Sequence, residues 1–381
     1  MRTGYANLPL HGGHAPPWLF KRMVPLAKAV TEIVVNEYSQ DEFLRRLSDP
    51  YWFQAFSCVL GYDWHSSGTT TVTCGALKEA LNNENIGIVV AGGKGKTSRK
   101  TPVEIEKFGE GFSLQTKKIE SLVYSSRMAA KVDSAAVQDG YQLYHHVFVF
   151  TENGNWAVIQ QGMNPENKYA RRYHWLSENV RSFVEEPESA ICCDRTEKEV
   201  LNMVAWESRD TQNISLDVLT GSNLQKRLDE FVNLVREPTH PTLLHHHENK
   251  GKATDGGNVP SYFSLPKSHT FRLSKVTKNA LMRASDTNPS DYEELLSLRG
   301  IGPASVRALA LISEIVYGKP PSWKDPVKYS FAHGGKDGIP YPVDRPTYDK
   351  SIEILRSAID NAKIGDKDKL HALRRLSEFI V

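Results

Sequence analysis

The chain has 381 residues, 40% of them hydrophobic and 24% charged, and its formal net charge is only +2. That length suggests two or three domains with real cores, and the near-neutral balance excludes a polyanion-binding surface spread over the whole molecule, so any nucleic-acid contact has to be a local patch. Four cysteines, Cys58, Cys74, Cys192 and Cys193, form no Cys-x-x-Cys pair and suit a reducing compartment, and no apolar stretch reaches signal-peptide or membrane-spanning length, so a cytoplasmic protein with no membrane partner is expected.

In chain order, a Gly-, His- and Pro-rich opening (Gly12 to Pro17) precedes Met23–Tyr38, where Val24, Ala27, Val30, Ile33 and Val34 recur at helical spacing. Asp41–Leu60 reads as a further helical region. The β-branched run Thr69–Cys74 and the apolar run Ile86–Val90 read as strands, as do Tyr144–Phe150 and Trp156–Gln161; Asn153-Gly154 supplies hairpin chemistry between the last two. Helices are expected over Thr196–Ser208 and Leu224–Val235. Residues 237–268, with Pro238, Pro241, His245-His-His247 and a Gly-rich run, read as a loop, and the chain from Ser274 onward reads as helical around an insertion between Pro320 and Asp344. The expected fold is therefore an α+β or α/β N-terminal domain (residues 1–185), a helical connector with a loop (186–268) and a mainly α-helical C-terminal domain (269–381).

The C-terminal part holds the strongest motif. Leu295 to Leu309 matches a helix-hairpin-helix pattern: an apolar helix, the hairpin Gly300-Ile301-Gly302, and a second apolar helix that opens on Pro303. The glycines let the backbone approach a ligand closely and allow positive φ. Ile301 would plug the space between the helices, and hairpin amides with a helix N-terminus would face a phosphate. Arg299 and Arg307 would add positive charge toward DNA. Such an element reads phosphates rather than bases, and a plain helical corner uses the same glycines. The pattern resembles DNA glycosylases of the helix-hairpin-helix class, but Ala304 follows Pro303, the second helix begins without a Lys, and the matching Val-Asp is Val343-Asp344, far downstream.

Two further regions carry chemistry. Ala91-Gly-Gly-Lys-Gly-Lys-Thr97 ends like a phosphate-binding loop, but Val90 stands where the first glycine of that motif is required. The blander reading is a basic Gly-rich loop in which Lys94, Lys96, Arg99 and Lys100 meet a nucleic-acid phosphate. The second region is polar: Ser125 to Asp133, Asp139 to His146, Trp156 to Gln161 and Ala170 to Trp175. Strand alternation sends His145 and His146 to opposite faces, and likewise Gln160 and Gln161. Asp133, Asp139, His145 or His146, Arg171 or Arg172, and His174 are the catalytic candidates. Asp139 and His146 are the expected ligands of Mn²⁺ or Mg²⁺, which would activate water for phosphodiester cleavage; a half-buried polar sheet explains the same pattern. His11, His14, Asp63 and His65 form a secondary cluster. Glycines around His333, Lys336 and Asp337 would present Lys336 to a DNA phosphate, with Asp344 capping the helix that follows.

End to end, the chain resembles the proteins catalogued as domain of unknown function 763, found in archaea and thermophilic bacteria. The likeness rests on Arg2 to His14, Gly61-Tyr-Asp-Trp-His65, Gln138-Asp-Gly-Tyr141, Gln160-Gln-Gly-Met163, Ala170 to Trp175, Tyr329 to Gly338 and Pro342-Val-Asp-Arg345. The resemblance implies an archaeal or bacterial cytoplasmic setting and DNA metabolism, and brings no catalytic residues with it. The functional expectation is a DNA-binding, metal-dependent nuclease of DNA repair or processing, with a homodimer as an open assembly. A non-catalytic DNA-binding accessory protein and a base-excision glycosylase are the alternatives.

Overall fold

The computed structural model describes residues 15–62, 67–193, 195–221, 223–236, 273–327 and 345–380. Its elements run α1 (Pro17–Glu37), α2 (Gln40–Ser48), α3 (Pro50–Val59), α4 (Gly68–Leu81), β1 (Ile88–Lys94), α5 (Thr101–Gly111), α6 (Thr116–Lys131), β2 (Val137–Gln138), β3 (Gln142–Thr151), β4 (Trp156–Asn164), β5 (Tyr169–Leu176) and β6 (Ala190–Cys192). They continue with β7 (Leu201–Asn202), α7 (Arg209–Thr220), α8 (Leu224–Arg236), α9 (Lys275–Thr287), α10 (Tyr292–Ser297), α11 (Pro303–Tyr317), α12 (Arg345–Asn361) and α13 (Asp366–Ile380). Among the described residues, no helix is long and apolar enough to cross a membrane.

The fold is α+β, because its main sheet is antiparallel throughout, in the order β1-β3-β4-β5-β6. Contacts divide the chain into one unit of residues 1–134, 140–197 and 326–381 and another of 135–139 and 198–325. These units interleave along the sequence, whereas the expected segments were contiguous.

In the first unit, local chemistry starts the helices cleanly. Ser39 accepts from the Glu42 backbone N–H at 3.0 Å to open α2. Asp49 accepts from Tyr51 N and Trp52 N at 2.8 and 2.9 Å to open α3, whose first residue is Pro50. Val147, Val149, Ala157 and Ile159 project from β3 and β4 into a core with Met23, Val30, Trp52, Phe56 and Leu77 of the N-terminal helices, joined by Ile354, Leu355, Ile359 and Leu376 of α12 and α13. Alternation sends Phe148, Phe150, Trp156 and Trp175 to the opposite side, where Phe148 stacks on Trp156 at 5.3 Å and Trp175 on Phe183 at 6.0 Å.

The second unit is mostly helical. Val218, Leu219, Leu228, Phe231, Leu281, Leu295, Leu296, Ile301 and Leu309 are buried within it. Its two-stranded ladder pairs Val137 with Asn202 and Gln138 with Leu201.

Two sequence expectations are corrected. Thr69–Cys74 is helical, inside α4. β propensity is a weak preference, and here Thr69, Thr70, Thr73, Cys74, Leu77 and Leu81 all bury, a helical spacing that tertiary packing rewards. The Thr73 hydroxyl also finds Ser57 Oγ at 3.0 Å. Thr196–Ser208 is not a helix: it contains β7 and a short 3₁₀ turn at Trp206–Ser208, and α7 begins at Arg209. Val200, Leu201, Met203 and Val204 are all buried, a continuous run with no helical stripe, and the backbone pairs outward, Val200 N to Trp323 O and Met203 N to Ala136 O.

One close approach fixes the β1 end of the sheet. Gly92 has φ of +93°, its N–H donates to Glu104 Oε2 at 2.7 Å, and its carbonyl accepts from Lys78 Nζ at 2.8 Å. A Cβ on this residue would lie 2.3 Å from the carbonyl oxygen of His146. Gly92→Ala should therefore lose about 1–3 kcal/mol of stability, from the left-handed backbone and the forced shift of β3. Urea unfolding of the full chain measures it, and an unchanged midpoint would contradict the tight packing of β1 against β3.

Candidate functional site

β1 ends in the basic run that begins at Lys94. A 3₁₀ turn over Gly95–Lys100 then leads into α5. Beside this turn lies a cavity of about 210 Å³, lined by Ser98, Arg99, Thr101 and Pro102, by Ser126, Arg127 and Ala130 of α6, and by Leu143 to His146 of β3. Arg99 and Arg127 are exposed, as are Lys94 at the end of β1 and Lys96 and Lys100 on the turn. Lys94 Nζ sits 5.9 Å from the centre of the Tyr144 ring, a cation–π distance. Sites that engulf a drug-sized ligand usually measure about 300–1,000 Å³. A cavity of this size with a cationic mouth suits one phosphoryl group and the start of its ester.

At the wall of the cavity a chain of hydrogen bonds runs inward. Ser126 Oγ lies 2.9 Å from His146 Nε2, and His146 Nδ1 lies 2.8 Å from Gln160 Oε1. The Gln160 amide nitrogen donates to Ala129 O at 3.0 Å and to Asp133 Oδ2. Asp133 Oδ2 also accepts from Trp175 Nε1 at 2.9 Å. The logic of donors and acceptors fixes the protons. Both amide hydrogens of Gln160 face acceptors, so its oxygen faces His146, and His146 has to carry its proton on Nδ1. Nε2 is left as the acceptor, and the Ser126 hydroxyl donates to it. Burial holds His146 below its usual value, against the smaller upward pull of Gln160, so the ring is neutral at pH 7. A neutral imidazole that accepts from a hydroxyl and is oriented from behind is the arrangement general-base catalysis requires.

Sheet register explains the juxtaposition. His146 stands opposite Gln160, and Gln160 opposite Tyr173, so His146 and Gln160 share one face. α6 delivers Ser126 to that face and then passes into a π-helical turn, Val132–Ala136, which carries Asp133. Burial first, and the Glu188 carboxyl second, push the Asp133 carboxyl well above its usual range.

The other expected residues go elsewhere. Arg172 stands opposite Gln161, which itself pairs with His145. Its guanidinium donates to Gln54 Oε1 at 3.1 Å and to His174 Nε2 at 2.8 Å, and lies 4.5 Å from the centre of the Phe53 ring. His174 Nδ1 meets Leu47 O at 3.0 Å, so His174 buttresses Arg172 rather than lining the cavity. Arg171 lies over the Tyr141 ring at 4.5 Å and donates to Arg195 O at 3.2 Å. Asp139 is buried and belongs to the second unit. Both ring nitrogens of His146 are engaged, and among the described residues no group of three or more His, Cys, Asp or Glu side chains gathers as a metal ligand set.

In the second unit α10 and α11 are joined through Gly300-Ile301-Gly302. Gly300 has φ of +94°, Gly302 is extended at φ −139° and ψ −170°, and Ile301 is buried. No side chain caps α11, and Pro303 opens it, so no side chain satisfies its first-turn amides. Arg299 is exposed and Arg307 is half-buried; burial lowers the Arg307 value. Arg283 of α9 lies by the turn, its Nη2 3.3 Å from where a Cβ on Gly300 would sit. His11, His14, Asp63, His65, His245 to His247, His333, Lys336, Asp337 and Asp344 lie outside the described residues.

Sequence reasoning missed Ser126 and Arg127, which a helical reading of Thr116–Lys131 would have placed on successive positions beside the paired strands, and Arg283, which no sequence pattern ties to the Gly300 turn.

Residues 4–343 match the family described as Protein of unknown function (DUF763), and the chain belongs to that family. No curated protein and no solved structure matches the chain.

The buried histidines set an acid limb of stability. His145, whose ring nitrogens have no hydrogen-bond partner among the described residues, is pushed down to about 3 by burial first, then by His146 and Lys94. His146 and His174 are also lowered. The unfolded chain protonates such rings near pH 6.5 while the folded chain does not, so stability present above that pH is lost as pH falls, at about 1.4 kcal/mol per pH unit for each proton. Asp133 shifts the opposite way and adds stability that is lost as pH rises through its folded value. Replacing His145 by Leu should leave stability at pH 7 nearly unchanged and make the loss between about pH 6.5 and 3 shallower. Urea titrations at several pH values would show it; parallel acid limbs would contradict the buried neutral ring.

Proposed function

We propose that this member of the DUF763 family binds DNA and hydrolyses phosphodiester bonds at the cavity beside the Gly95–Lys100 turn. The observation that carries the reading is the neutral His146, hydrogen-bonded to Ser126 at 2.9 Å, at the wall of a cavity whose mouth holds Arg99 and Arg127. The cations attract and orient a phosphate. The neutral imidazole accepts a proton as the P–O bond is attacked, and the resulting imidazolium can protonate the departing alkoxide.

A DNA substrate is favoured over a small phosphoester by the second unit. The Gly300-Ile301-Gly302 turn has an uncapped helix N-terminus with Arg283 and Arg299 nearby, a set of groups suited to a backbone phosphate and indifferent to base identity. Gly302 has open space around its missing Cβ, so a valine there tests phosphate approach without disturbing the helices. Gly300 is unsuitable for that test because its positive φ would strain any side chain.

The test is binding and cleavage of single- and double-stranded DNA by the full chain, across salt, with EDTA or with added Mn²⁺ or Mg²⁺. The Arg99→Ala/Arg127→Ala double variant should weaken binding and lower the salt slope by about two on duplex DNA, roughly 0.9 for each phosphate contact. Gly302→Val should weaken binding with its circular dichroism intact. Cleavage that survives EDTA locates the chemistry in the chain's own side chains, and cleavage restored only by Mn²⁺ or Mg²⁺ assigns part of it to a metal. Affinity and slope unchanged in both variants would overturn the DNA reading; binding without cleavage under every metal would make the protein a non-catalytic DNA binder.

A further inference from the structure

We infer that Ser126 is a catalytic nucleophile that forms a covalent phosphoseryl intermediate, with His146 as its general base; the inference rests on the reading of the cavity as the phosphodiester site. Neither residue pattern nor family assigns Ser126 a role. Three observations meet at it.

The first is its hydrogen bonding. The preceding residue, Ser125, turns its hydroxyl back to Ser121 O at 2.8 Å, the usual resting place for a serine on a helix. Ser126 has its hydroxyl 2.9 Å from His146 Nε2 instead. The second is the proton inventory of the ring. Gln160 occupies Nδ1 and has both its own hydrogens committed to Ala129 O and Asp133, so Nε2 faces the serine as a lone pair. The third is location. Ser126 lines the cavity together with Arg127, Arg99 and Thr101. Nucleophile, base and orienting group are thus supplied by α6, β3 and β4, and the cationic anchors by the Gly95–Lys100 turn and α6.

The chemistry balances without an outside reagent other than water. Ser126 Oγ attacks phosphorus as its proton passes to His146 Nε2. The bond from phosphorus to the leaving oxygen breaks, and that oxygen takes the proton from Nε2 and departs as an alcohol. Water then attacks the phosphoseryl phosphorus while His146 takes one of its protons. The Oγ–P bond breaks, and the imidazolium returns its proton to Ser126 Oγ. The sum is diester plus water to monoester plus alcohol, with Arg99 and Arg127 balancing the phosphate charge throughout.

Diisopropyl fluorophosphate reports on such a serine without any nucleic acid. Oγ–P forms, P–F breaks, fluoride leaves and the proton goes to His146. The full-length chain, incubated with the reagent at pH 7.5 and digested, should give a diisopropylphosphoryl adduct on the peptide that holds Ser126. Ser126→Ala should lose it. His146→Ala should slow labelling by about 100-fold or more, and added imidazole should restore part of the rate, which a fold defect would not permit. An adduct absent from Ser126 in parent protein that still cleaves DNA overturns the serine nucleophile and leaves the proposed function standing. An adduct on Ser126 in parent protein that cleaves no DNA supports the nucleophile and removes DNA as its substrate.

Discussion

A single buried carboxamide organises the centre of the first unit. Gln160 sits at the middle of β4 with no exposed surface, where an unsatisfied amide would cost on the order of 1–3 kcal/mol per polar group. It has one acceptor and two donor hydrogens, and every one is spent: His146 on the oxygen, Ala129 O and Asp133 on the nitrogen. Meeting all three pins α6 to the sheet through Ala129, places Asp133 at the π-helical turn that follows, and dictates which nitrogen of His146 carries hydrogen. Trp175 closes the far end by donating to the same Asp133 oxygen at 2.9 Å. Every hydrogen-bonding group of Gln160 is met, and satisfied buried groups rigidify what they touch.

The charges divide by depth. The interior groups, His146 and Asp133, are pushed by burial toward their neutral forms, while the cations stay at the solvent edge, on Arg99, Arg127 and the lysines of the turn. A chain with a net charge of only +2 can thus present a local positive field at this cavity. Under the proposed function the same division would serve catalysis: exposed guanidiniums would hold an anion, and an imidazole kept uncharged would stay available as a base. A buried histidine–arginine pair, His174 with Arg172, has a different use. There the ring takes an arginine hydrogen and gives its own to Leu47 O, which orders the packing of α2 and α3 on β5.

Much of this was legible from residue pattern. Apolar alternation and Asn153-Gly154 marked β3 and β4, and the two-residue period implied that one histidine and one glutamine would share a face; His146 and Gln160 do. The basic run after β1 was visible from composition as an exposed loop. Register over distance was not visible. Whether Arg171 or Arg172 joined that face depends on where β5 pairs, and the side chains of both go to partners in other segments. Ser126 was hidden because serines are common on helices and nothing local distinguishes it from Ser125. The Thr69–Cys74 run misled for a physical reason: β-branched side chains favour strands when nothing else decides, but here the helical spacing of Thr73, Leu77 and Leu81 against the core outweighed that preference.

The account depends most on the tautomer of His146, since a ring protonated on Nε2 could not accept from Ser126. Nitrogen-15 NMR of ring-labelled full-length protein at pH 7 reads it directly, with the His146 signals assigned by a His146→Asn variant. The account predicts a protonated, pyrrole-like Nδ1 and a bare, pyridine-like Nε2, the bare nitrogen moving when Ser126 is replaced by Ala. A hydrogen found on Nε2, with Nδ1 bare, would contradict it.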